Sequence, residues 1–175
     1  MKKLASLALI ATSLAVSAQA LVVGVDAGYL LDAKEEYISA RLGHEFKADT
    51  NLGHSAEIEV GYTGQKEAGI KASSMPVTIN YRAESKAEKL GYYFGAGAGL
   101  ARTELKAPGS GVPTISDSDT SFAAQAFAGL TYHASATVSL HAGVKYIWID
   151  DVKLLGINAE VGDDVAFSGG LSIKF

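Results

Sequence analysis

From residue 22 to the C-terminus, apolar side chains recur at every second position in eight segments separated by polar stretches. In an extended chain successive side chains point to opposite faces, so this period predicts strands with one apolar face. Segment 22–31 sets Val23, Val25, Ala27, Tyr29 and Leu31 on that face, and 37–46 sets Ile38, Ala40, Leu42, His44 and Phe46 there. Segment 55–62 contributes Ala56, Ile58, Val60 and Tyr62, and 74–82 contributes Met75, Val77, Ile79 and Tyr81. Segment 90–101 carries Leu90, Tyr92, Phe94, Ala96, Ala98 and Leu100, and 165–175 carries Val165, Phe167, Leu171, Ile173 and Phe175. The uncharged run 120–144 is long enough for a membrane helix, but Phe122, Ala124, Ala126, Ala128, Leu130 and Tyr132 alternate. So do Val138, Leu140, Ala142, Val144, Tyr146 and Trp148, after the short break His133-Ala134-Ser135-Ala136. The run therefore reads as two strands and a tight turn.

No position on the apolar face is charged, and His44 is its clear polar exception. The opposite face carries Asp26, Arg41, Glu45, Glu57, Glu59, Arg82, Lys145 and Lys174. The aromatics decide which face points outward. Tyr29, Phe46, Tyr62, Tyr81, Tyr92, Phe94, Phe122, Tyr132, Tyr146, Trp148, Phe167 and Phe175 share the apolar face and gather toward strand ends, with small aliphatic residues between. Aromatic belts around an uncharged band suit a barrel in a bilayer, where amphipathic rings favour the headgroup level. Strands of this length also span a bilayer, and closing the sheet leaves no unpaired edge in lipid. The expectation is an all-β, eight-stranded antiparallel up-and-down transmembrane barrel with ions inside.

The first twenty residues read as an address. Lys2 and Lys3 precede an uncharged stretch over 4–16, and Ser17-Ala18-Gln19-Ala20 offers a small-x-small cleavage pattern. Residues 1–20 are thus expected to be a cleavable signal peptide, and residues 21–175 the barrel domain. With both termini in the periplasm, outward loops are expected at 32–36, 63–72, 102–120 and 149–164, and inward turns at 47–54, 83–89 and 133–136.

Composition narrows the chemistry. The chain of 175 residues has no Cys, which excludes disulfides, thiolate metal sites and thiol nucleophiles. Its net charge of −4 and lack of a basic tract argue against a nucleic-acid partner. An eight-stranded bore is just wide enough for side chains to fill. The inward charges balance, with Glu45, Glu57, Arg82 and Lys174 near the periplasmic end and Asp26, Arg41, Glu59 and Lys145 nearer mid-depth. They are expected to pair and close the lumen, since an unpaired buried charge is strongly unfavourable. The glycines of Gly95-x-Gly97-x-Gly99 lack phosphate-loop spacing, and read as inward positions where Tyr93, Phe127 or a long charged chain lies against the wall.

Three stretches carry a family likeness: Tyr92-Tyr93-Phe94-Gly95-Ala96-Gly97-Ala98-Gly99-Leu100, Phe127-Ala128-Gly129-Leu130-Thr131-Tyr132, and Gly169-Gly170-Leu171-Ser172-Ile173-Lys174-Phe175. The chain resembles the small bacterial outer-membrane β-barrel family, the OmpA transmembrane domain, OmpX and opacity-protein group. The resemblance implies an outer-membrane location, with lipids and lipopolysaccharide as surroundings. It also implies a C-terminal assembly signal, Phe167, Leu171, Ile173 and Phe175, read by the barrel-assembly machinery. The chain ends at Phe175 without the peptidoglycan-binding domain of full-length OmpA-type proteins, so peptidoglycan tethering is not expected.

The functional expectation is a monomeric, non-enzymatic barrel that serves envelope integrity or surface interaction through its outer loops, without cofactor or metal. A narrow porin-like channel and a lipid A-modifying enzyme are the alternatives. Ser139 and His141 share the inward face, but their order reverses the His-before-Ser motif of the deacylases and both point away from lipid. His44 and His133 read as interfacial, and His54 as a turn residue. The loop carboxylates Asp117, Asp119, Asp150, Asp151, Asp163 and Asp164 read as solvated acids.

Overall fold

The computed structural model describes residues 21–48, 51–67, 70–107, 115–154, 157–159 and 162–175. The signal-peptide expectation and the loop tip at 108–114 lie outside these residues. Eight strands build the barrel: β1 (Leu21–Leu30), β2 (Glu35–Ala48), β3 (Leu52–Glu67), β4 (Ile70–Ser85), β5 (Leu90–Ala107), β6 (Ile115–His133), β7 (Val138–Ile149) and β10 (Gly162–Lys174). The short strands β8 (Val152–Leu154) and β9 (Ile157–Ala159) form a separate hairpin between β7 and β10. The barrel order is β1-β10-β7-β6-β5-β4-β3-β2, every neighbour antiparallel, and β1 against β10 closes it. At the seam Phe175 N–H donates to the Leu21 carbonyl at 2.9 Å.

The apolar face is the outer wall. Val25, Ile58, Ile79, Leu100, Leu130 and Leu140 are exposed there, Ile79 to 67%. The aromatic positions divide between two rims. Tyr29, Tyr62, Phe122, Tyr146, Trp148 and Phe167 lie toward the loop end, and Phe46, Tyr81, Tyr92, Phe94, Tyr132 and Phe175 toward the end that holds both termini. Trp148 and Phe122 meet edge to face with ring centroids 5.7 Å apart. Phe167, Ile173 and Phe175 of the terminal segment are exposed on this wall, and Leu171 is half-buried.

Several expected loops are strands. The ladder of β3 with β4 runs out to Glu67↔Ile70, and that of β5 with β6 to Ala107↔Ile115, so 63–67, 70–72, 102–107 and 115–120 are paired extensions. At the other end β2 and β3 pair as far as Ala48↔Gly53, β4 runs on to Ser85, and His54 lies within β3. The reason is physical: beyond the hydrocarbon a strand needs no apolar face, so its backbone ladder leaves no hydrophobic period to read. The turn after β1 is held by Asp164, whose carboxylate accepts N–H bonds from Leu31 at 3.0 Å, Asp32 at 3.0 Å and Ala33 at 2.8 Å. Lys34 closes that turn with φ 57°, and Gly162 opens β10 with φ 72°, a conformation that costs glycine least.

Candidate functional site: the polar lumen

The inward positions form three levels along the barrel axis. At the terminal end lies a cavity of about 530 Å³ lined by Glu45, Glu57, Arg82, Glu84, His133 and Lys174, among others. Arg82 pairs with Glu84 at 2.9 Å, and the Lys174 ammonium donates to Glu45. Across the β6–β7 ladder, His133 Nδ1 is 2.9 Å from Ser139 Oγ, and His133 Nε2 is 3.3 Å from the Ser85 carbonyl. His141 sits deeper than Ser139 and bonds Asp26 instead, so the two share a face without meeting as a pair.

At mid-depth Arg41 is the hub. Its Nη1 donates to Asp26 at 2.8 Å, and its Nε lies 3.6 Å from Glu57. Lys145 and Glu59 form the neighbouring pair. Glu59 also accepts from Tyr37 Oη at 2.9 Å, Gln125 Nε2 at 3.1 Å and Asn80 Nδ2 at 3.3 Å. The Arg82 guanidinium lies 3.9 Å from the Tyr93 ring centroid, and Tyr93 packs at 6.3 Å from Phe127. Glycines make room for these chains. A Cβ on Gly24 would stand 2.7 Å from Arg41 Nε, and one on Gly143 would stand 2.5 Å from Tyr93 Oη. The space left among Asp26, Arg41, Glu57, Glu59, Arg82, Tyr93, Phe127 and Lys145 is about 10 Å³. That volume admits about one water molecule.

Toward the loop end an apolar cluster joins a smaller polar set that includes the Thr103–Ser74 hydroxyl contact. Leu30, Tyr37, Ala101, Ala123, Ile147, Ile149 and Ala166 form a buried cluster. Val152 of β8 is also buried, and the hairpin is tied down where Lys153 N–H donates to Asp119 at 2.7 Å. Other loop acids bind neighbouring groups too: Asp163 accepts from Tyr146 Oη, and Asp150 from the Asp151 N–H.

All eight inward charges named from the sequence face the lumen, and six of them line the narrow middle. Sequence reasoning missed Glu84, which lies two positions beyond Arg82 on the same face. It also missed the neutral partners Tyr37, Asn80 and Gln125, and the apolar plug. Alternation carried both signals, because Asn80, Gln125, Ile147 and Ile149 all sit at inward positions.

The architecture can now be set beside known proteins. The sequence pattern of the family described as outer membrane protein beta-barrel domain matches residues 4–175. The chain belongs to that family. It is therefore a bacterial outer-membrane protein. No curated protein matches it closely enough to lend a function. Neisserial surface protein A has the same fold at TM-score 0.66 and 18% identity, over 89% of this chain and 97% of that one. Ail, the attachment invasion locus protein of Yersinia pestis, crystallised with the heparin analogue sucrose octasulfate, aligns at TM-score 0.53 and 18% identity, over 89% and 97%. The outer membrane enzyme PagL aligns at TM-score 0.53 and 15% identity, over 88% and 99%. At such identities the likeness is one of fold alone, and the fold hosts enzymes as well as other barrels.

Proposed function

We propose that this protein is a closed, non-enzymatic barrel that contributes to envelope integrity or surface interaction through its loop end. The observation that carries the reading is the middle of the lumen, where paired ions and Tyr93 leave about 10 Å³. A diffusion channel needs a continuous water path, and an ion-selective one benefits from an excess of one sign. Here the charges meet in pairs, and the apolar cluster stands as a second barrier on the loop side. The export signal at 1–20, periplasmic termini, assembly through the C-terminal Phe175 and a monomeric state complete the reading.

Planar-bilayer recording of the refolded barrel tests it. The expected result is no steady conductance above background, and a large steady conductance overturns the closed lumen. The enzyme alternative has one feature on its side, the Ser139–His133 contact in the terminal-end cavity. Alternation turns Ser139 toward the lumen and away from lipid, so lipid A should have the same mass with and without the protein.

A further inference from the structure

The strand extensions beyond the outer aromatic rim carry an uneven charge pattern. The register sets Lys71 of β4 opposite Lys106 of β5 on one side and opposite Lys66 of β3 on the other. Three lysines thus stand in one row across three adjacent strands. Alternation from exposed Met75 and Leu100 puts Lys71, Arg102 and Lys106 on the outward face, and all three are exposed. Arg102 lies opposite Met75, directly above the apolar band. Next to these cations, Ser116, Ser118 and Thr120 present hydroxyls along β6, and Arg102 Nη2 donates to Ser118 Oγ at 3.1 Å. Glu104 pairs with Lys106 at 2.8 Å and offsets one charge. The other acids on the same face flank the row or lie across the barrel: Glu36 stands on the adjacent strand β2, and Asp163 on β10 on the far side.

Like charges directly opposite one another destabilise a ladder, and nothing in the fold requires a row of them at this height. A bound anion would turn the repulsion into attraction. The level identifies its source. A strand rises about 3.3 Å per residue and tilts by about 40°, so Arg102 stands about 5 Å above Leu100 and Lys71 about 10 Å above Met75. Those heights span the headgroup zone and the sugars immediately beyond it. We propose that the outward face of β3–β5 is a binding site for the phosphorylated headgroup and inner-core sugars of lipopolysaccharide, with Lys71, Lys106 and Arg102 holding phosphate and the β6 hydroxyls facing sugar. The site rests on the loop end being the outer one, and protease cleavage of intact cells near 102–120 reports that orientation separately.

The test compares the refolded barrel with the Lys71→Gln/Lys106→Gln and Arg102→Gln variants in detergent, by titration with purified phosphorylated lipopolysaccharide. Enzymatically dephosphorylated lipopolysaccharide and sucrose octasulfate are the other two arms. Binding to the phosphorylated form should weaken by about fivefold for each cation removed and should fall with salt. The dephosphorylated form should bind weakly and equally to all variants. Without lipopolysaccharide, the double variant should melt no lower than wild type, since it loses only repulsion and an exposed pair. With lipopolysaccharide present, it should gain less stability than wild type. Equal binding by wild type and double variant overturns the proposal, as does full affinity for the dephosphorylated form. Binding of sucrose octasulfate alone overturns it too, and assigns the row to a soluble polyanion.

Discussion

Replacing Lys145 by Met removes one member of a deeply enclosed ion pair in the lumen, where the Lys145 and Glu59 side chains are 7% and 4% exposed. Breaking a buried pair on one side costs about 3–5 kcal/mol, because the remaining charge stays desolvated and uncompensated. Glu59 keeps three neutral donors, Tyr37 at 2.9 Å, Gln125 at 3.1 Å and Asn80 at 3.3 Å, which favours the lower end, about 3 kcal/mol. The double change Glu59→Gln/Lys145→Met removes both charges and should cost about 1 kcal/mol, leaving a coupling of about 2 kcal/mol or more in the cycle. A control is available at the terminal end, where Lys174 and Glu45 are 43% and 20% exposed. Lys174→Met should cost about 1 kcal/mol or less, since water screens that pair. Urea unfolding in phospholipid vesicles reads these three variants and Glu59→Gln, the cycle's other single change, with Trp148, the sole tryptophan, reporting from the lipid-facing wall. If Lys145→Met costs no more than Lys174→Met, or the double variant is as unstable as the single one, paired burial does not hold the lumen together.

Three further outcomes follow from the same geometry. Ile79→Arg places a cation on the most exposed apolar position of the wall and should cost about 2–4 kcal/mol in vesicles, measured by the same unfolding assay. Gly143→Val should cost about 3 kcal/mol, the upper end of overpacking, because its Cβ would collide with the Ala128 carbonyl as well as stand 2.5 Å from Tyr93 Oη, whereas Gly169→Ala, whose Cβ would meet nothing nearer than 3.5 Å, should be close to neutral. At the loop end, N–H bonds from Lys153 and Thr120 hold the Asp119 carboxyl below the usual aspartate range. A depressed folded value means that the hairpin anchor is fully present above the unfolded-state value, near about 4, and is lost as pH falls through the lower folded one. The Lys153 amide shift in NMR should follow that titration, and a midpoint at or above the ordinary aspartate value would contradict it.

What could be read from the sequence divides along the membrane. Within the hydrocarbon every second residue answers to lipid or lumen, so Ile58, Val77 and Leu140 betray the outer wall while Glu59 and Arg41 betray the inner one. Beyond the rims that demand lapses, and the paired segments around Lys71, Lys106 and Ser116 look like loops although their backbones are laddered. Alternation also fixes direction without depth or reach. It shows that Asp26 and His141 point inward, but their contact depends on β1 and β7 flanking the closing strand β10. The pairing of Arg82 with Glu84 is local, and was hidden only by ending β4 too early.

The lumen is graded as well as filled, and the gradient bears on conduction. The terminal-end cavity lets water reach Glu84 and Lys174, whereas the cluster of Leu30, Ile147 and Ile149 keeps it from the other side of Lys145. Tyr37 joins the two regimes, since it belongs to that apolar cluster while its hydroxyl donates to Glu59. A low-dielectric neighbour strengthens the attraction within the Lys145–Glu59 pair and raises the penalty for separating it. An ion crossing the barrel must therefore break a pair that is tight because of its surroundings and then cross a dry segment. Removing the pair alone leaves the dry segment in place. Lys145→Met should destabilise the barrel without making it conduct, and opening it should require polar substitutions at Ile147 and Ile149 as well. Conductance from Lys145→Met by itself would mean that the apolar cluster is no barrier.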